Sequence, residues 1–106
     1  MRADSRWIVP EQWLVELLSV IRGTLLGGKI TPVHAADAVT AAADLNPVVV
    51  RTRLLASRIW ALRANLTTYD AAYVAAAEQY NCALVTTHAR LARAPGIRCP
   101  INLLPT

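Results

Sequence analysis

The chain carries seven carboxylates in 106 residues, few enough for each to be weighed by its neighbours. Asp4, Glu11, Asp37, Asp44 and Glu78 fall near helix ends or among polar positions and suggest no chemistry. Two others are set apart. Glu16 interrupts the apolar stretch Trp13-Leu14-Val15-Glu16-Leu17-Leu18, and Asp70 precedes a run that ends in Thr86-Thr87-His88. Ligands of open α/β sheets collect beyond the carboxyl ends of the strands, so Asp70 and the polar residues at that strand end are candidates for chemistry. Structural roles compete at both positions. By helical phase Glu16 lies opposite the stripe of Leu14, Leu18 and Ile21, as a solvated surface glutamate does. Thr67-x-x-Asp70 has the form of a capping box, and the helix dipole favours an acid in the first turn. Cys82 and Cys99 have no metal-ligand spacing and sit beside apolar runs, which reads as reduced, buried thiols.

The elements that position these residues follow from periodicity and punctuation. Trp7-Ile8-Val9 is a short apolar run closed by Pro10, a brief strand leading into a helix. Leu14, Leu17, Leu18, Ile21 and Leu25 then recur at helical spacing until Gly27-Gly28. Thr31-Pro32 supplies a cap and a first-turn proline for a second helix reaching about Leu45. After Asn46-Pro47, the β-branched run Val48-Val49-Val50 predicts a strand buried on both faces. A third helix carries Leu55, Ile59 and Leu62, and an alanine-rich fourth runs from Thr67 to about Gln79. Ala83–Thr86 reads as another buried strand, His88–Ala94 as a short basic helix and Ile101–Leu104 as a last strand. Strands alternating with helices imply an α/β fold with a mostly parallel sheet.

Composition narrows the class. Hydrophobic residues make up 55% and mean hydropathy is +0.34, which excludes a disordered tail. Charged residues are only 17%, too few for a solvated coiled coil. Length fits a single domain, residues 1–106. The net charge is +4, and ten of the eleven cations are arginines. Arginine suits phosphate, although a GC-rich genome would give the same bias. No targeting segment is evident and no apolar stretch approaches the ~20 residues of a membrane span, so a cytoplasmic protein is expected.

The stretch NLTTYDAAYVAAAEQYNCALVTTHARLARAPGIRCPINLL resembles the C-terminal half of PIN-domain proteins, specifically the VapC toxins of bacterial toxin–antitoxin pairs. Their pattern, roughly LTxYDAxYVALAExxxxxLLTxDxRLAxAPG, is matched closely from Leu66 to Gly96. Upstream, VPEQWLVELLSVIRGTLLGGKIT is similar to the family helix that bears a metal-site glutamate. The resemblance implies a PIN-like three-layer α/β sandwich and a ribonuclease whose carboxylates hold Mg²⁺ or Mn²⁺. It maps metal-holding, catalytic roles onto Glu16 and Asp70, and places Arg90 and Arg93 where phosphate would be steered. Oxygen ligands suit such hard cations, which activate water and offset charge on phosphorus.

Two departures qualify the likeness. The family opens with a central strand ending in VDAS or VDTS, and Met1-Arg2-Ala3-Asp4-Ser5 has no apolar strand ahead of its aspartate. The chain is thus expected to be an N-terminally truncated member whose exposed strand edges favour a homodimer. The acid of TxDxRLA is replaced by His88, a substitute ligand suited to Mn²⁺ or Zn²⁺ or a residue left by drift. The resemblance implies a cognate antitoxin and an RNA substrate as partners. A catalytically inactive remnant that still binds an antitoxin is the alternative. A dinucleotide- or nucleotide-binding domain is disfavoured, since no G-x-G-x-x-G or P-loop follows any strand.

Overall fold

The computed structural model describes residues 7–86 and 89–103. They form two compact units: a helical one, residues 12–47, and an α/β one containing residues 7–11 and everything described from Val48 onward. In the helical unit, α1 (Trp13–Leu26) packs on α2 (Pro32–Asp44). Between them Gly28 takes φ +75°, a left-handed turn that favours glycine, and the Lys29 N–H donates to the Thr24 carbonyl at 3.1 Å. Helix α2 starts as the sequence predicts: the Thr31 hydroxyl accepts from the His34 N–H at 3.1 Å, with Pro32 in the first turn. Ala35 and Ala42 are buried in α2, whereas α1 buries none of its residues fully and leaves Val15, Val20 and Leu26 exposed.

The α/β unit contains two parallel strand pairs. Strand β1 (Ile8–Pro10) pairs with β2 (Val48–Val50), Ile8 opposite Val48. Later in the chain, β3 (Leu84–Thr86) pairs with β4 (Ile101–Leu103), Leu84 opposite Ile101. The α/β class and the parallel direction are therefore as expected, but among the described residues the strands form two pairs and not one sheet. Residues 1–6, where the expected first strand would be sought, lie outside the described residues. Val48–Val50 is not buried on both faces. Val50 is buried and Val49 is 46% exposed, because β2 packs on one side only.

Helix α3 (Thr52–Ala61) leaves β2 directly, and α4 (Thr68–Gln79) follows a short turn. The Glu11 carboxylate accepts the Thr52 N–H and so satisfies an open donor of the first turn of α3. Helix α4 is the centre of the unit: Ala71, Ala72, Val74, Ala75, Ala76 and Ala77 are all buried. Around it lie Val50, Leu55, Ile59, Leu62, Leu66 and Leu91, the last from α5 (Ala89–Ala92). A helix apolar on most sides must be enclosed, and alanines let its neighbours come close.

Glu78, which the sequence leaves without a role, anchors this unit. Arg58 Nε donates to its Oε1 at 2.6 Å and Arg58 Nη2 to its Oε2 at 3.1 Å. The same Nη2 donates to the Gly96 carbonyl at 2.6 Å, while the Arg98 N–H donates to Glu78 Oε2 at 2.7 Å. One carboxylate thus joins α3, α4 and the turn before β4. Burial pushes the Glu78 pKa up, but the bonds from Arg58 and Arg98 outweigh it and hold the group below the ordinary glutamate range. Because the folded value lies below the unfolded one, the associated stability is present at neutral pH and is lost as acid protonates Glu78. Replacing Glu78 by Gln should lower unfolding stability by about 2 kcal/mol at pH 7. The difference between Glu78→Gln and the unaltered chain should shrink in denaturant titrations below about pH 4; a difference independent of pH would contradict the assignment.

Candidate functional site

Asp70 stands at the third residue of α4, and its local setting is built by its neighbours. Thr67 precedes the helix in an extended conformation, φ −64° and ψ 158°, and its hydroxyl accepts the Asp70 N–H at 3.1 Å. The capping half of the predicted box is therefore present. Leu66, just before the cap, and Ala71, just after Asp70, are both buried in the same cluster and fix the entry of the chain into the helix. These restraints hold the Asp70 backbone while leaving the residue half-exposed. Its carboxylate also lies in the first turn, where the aligned peptide dipoles favour negative charge.

Glu16 lies in the first turn of α1, with its N–H donating to the Gln12 carbonyl at 3.0 Å. It is half-buried, not the fully solvated residue that helical phase suggests. The reason is that α1 has apolar residues on several sides, so no side of it is purely polar. Glu16 belongs to the helical unit and Asp70 to the α/β unit.

Thr86 ends β3 and is half-buried, and His88 lies outside the described residues. Arg90 falls within α5, and Arg93 is exposed just beyond it. Among the described residues no three His, Cys, Asp or Glu side chains gather closely enough to hold a metal ion. Magnesium commonly retains several waters beside one or two carboxylate ligands, so it does not require a cluster of three. Cys82 and Cys99 are free but half-buried, not buried. Cys82 follows the end of α4 and Cys99 precedes β4, where it packs against the edge of the core.

The sequence gives no sign of Glu11 and Glu78, both of which bind backbone N–H groups far along the chain. Their partners lie 41 and 20 positions away, beyond any local pattern. No helix among the described residues is long and apolar enough to cross a membrane.

With this arrangement the chain matches the PIN domain family over residues 1–97, and it belongs to that family. It is 55% identical over 51 residues to VapC ribonuclease Mb0985 of Mycobacterium bovis, covering 48% of this chain and 40% of the relative. The same figures relate it to ribonuclease VapC9 of Mycobacterium tuberculosis. To ribonuclease VapC1 of M. tuberculosis it is 36% identical over 94 residues, 84% of this chain and 68% of the relative. The match to the first two spans about two fifths of their length.

The cap is separable from any chemistry Asp70 performs. Thr67→Ala should cost about 1 kcal/mol of stability, and Thr67→Ser should restore most of it, as read from urea unfolding midpoints. Equal losses in both variants would show that Thr67 acts by packing and not as an acceptor.

Proposed function

We propose that this chain is the toxin component of a VapBC-type toxin–antitoxin pair and that its chemistry is metal-dependent hydrolysis of RNA. The observation that carries this is the family match, which runs through both candidate carboxylates, together with relatives that are VapC ribonucleases. The setting of Asp70 supports it: a half-exposed carboxylate on a backbone fixed by a cap and a buried helix.

In this proposal Asp70 and Glu16 hold Mg²⁺ or Mn²⁺. When bound, the ion lowers the pKa of a water and offsets negative charge on the phosphate. Asp70 contributes an oxygen ligand whose direction is set by α4, and Thr67 keeps that helix from fraying at this end. Arg90 and Arg93 attract the RNA backbone by charge, which makes binding weaken as salt rises. His88 stands in the place of a family acid and provides a nitrogen ligand better matched to Mn²⁺ than to Mg²⁺. The partners are a cognate antitoxin, RNA and a second copy of the chain, recruited by open strand edges. The setting is the cytoplasm.

The second hypothesis, an inactive PIN remnant that occupies an antitoxin, is favoured by one feature. His88 replaces an acid that the family pattern places in the metal site. A cleavage assay on structured RNA with Mn²⁺ separates the two. The toxin proposal expects weak cleavage that Asp70→Ala lowers by at least about a hundredfold, the scale of a misplaced reacting group. His88→Asp should raise the rate and shift the preference towards Mg²⁺. Calorimetry should show that Asp70→Asn removes Mn²⁺ binding. Antitoxin binding without any Asp70-dependent cleavage would establish the remnant instead, and cleavage indifferent to Asp70→Ala would point to a contaminating nuclease.

A further inference from the structure

Cys82 and Cys99 are separated in sequence but both lie just ahead of the second strand pair. Leu84 is opposite Ile101 in the parallel register. Cys82 and Cys99 lie outside the strands, each two residues ahead of that pair, so the two cysteine-bearing segments approach the same end of it. The strands that these segments enter run about 4.8 Å apart, and a disulfide spans Cα separations of roughly 4.4–6.8 Å. Both cysteines line one cleft of about 330 Å³, together with Glu78, Asn81, Arg98 and Pro100.

The backbone on each side is fixed. Asn81 takes φ +54°, a left-handed conformation that asparagine tolerates better than most residues. Its N–H donates to the Glu78 carbonyl at 3.2 Å, and the Cys82 N–H donates to the Ala77 carbonyl at 2.8 Å. These two bonds are a Schellman closure of α4, and they place Cys82. On the other side, the Arg98 N–H is held by Glu78, and the Pro100 carbonyl accepts the Leu84 N–H at 2.8 Å. Cys99 is thus fixed on both flanks.

We propose that Cys82 and Cys99 are a redox-active dithiol that closes to an intramolecular disulfide by exchange with a low-molecular-weight disulfide. The order of events follows from their surroundings. Burial and the Glu78 charge raise the Cys99 pKa, which disfavours its thiolate as the first nucleophile. The Cys82 thiolate attacks one sulfur of the small disulfide, forms a mixed disulfide and releases one small thiolate. Cys99 then loses its proton and attacks the Cys82 sulfur, releasing the second. Overall, two protein thiols give up two protons and two electrons, and the small disulfide becomes two thiols. The new bond ties the start of β3 to the start of β4 and encloses α5 in a covalent loop.

The test treats the folded, full chain with glutathione disulfide and maps tryptic peptides without reduction. The expected product joins peptide 64–90 to peptide 99–106 within one chain, with a mass lower by two hydrogens. It should be reversed by a dithiol reductant, and the oxidised protein should melt at a higher temperature. Cys82→Ser and Cys99→Ser should each stop at a mixed disulfide with glutathione. If either variant fails to fold, the peptide map of the unaltered chain decides. Glutathione retained on both cysteines, a cross-link only between two chains, or thiols that react only after denaturation would each overturn the proposal. The outcome is independent of whether the chain cleaves RNA.

Discussion

Enclosure of α4 is the constraint on which the α/β unit depends. Six of its residues are buried, five of them alanines, so its axis can be approached closely from more than one side. Helix α3, strand β1 and strand β3 all pack against it. Small side chains leave little room for adjustment, since protein interiors are filled near crystal density. The positions of these neighbours are therefore set by backbone approach. The larger residues, Leu55, Ile59, Leu62 and Val74, fill the spaces between. Helix α4 also carries Asp70 at one end and Glu78 at the other. A single rigid element thus fixes both the candidate metal ligand and the principal ion pair.

The Glu78 carboxylate completes what apolar packing begins. Close-packed alanines do not specify the path of the chain beyond α5, where turns at residues 93–100 lead into β4. Charge-assisted bonds from Arg58 and the Arg98 N–H do specify it, because their geometry is directional. Arg58 is shared between Glu78 and the Gly96 carbonyl, so the turn is held from both sides. The start of β4, and with it Cys99, is located by this node. Tertiary polar contacts and the dithiol are in this sense parts of one construction.

The proposed function rests on how a carboxylate is presented. Asp70 serves the helix through its N–H, which Thr67 accepts, and its side chain is left half-exposed. A capping aspartate and a metal-holding aspartate are thus not competing accounts of the residue. The backbone does the first and the carboxylate is available for the second. The proposed metal site fits that division, since a metal site requires ligands whose main chain does not move.

Local chemistry was legible in the sequence wherever one short segment determines it. Thr31-Pro32 and Thr67 start their helices, Gly27-Gly28 and Asn46-Pro47 end theirs, and the β-branched run at Val48 forms a strand, all within a residue or two of expectation. Propensity, capping and hydrophobic period act over a few residues, so sequence alone suffices for them. The approach of residues distant in the chain is different. That β2 leaves Val49 exposed, that the strands associate in pairs, and that Glu78 meets Arg58 depend on which surfaces come together. The partial burial of Glu16 and the cleft shared by Cys82 and Cys99 belong to the same category. Pairwise contacts across many residues carry no local pattern, because their energy exists only once the intervening chain has folded to close the distance.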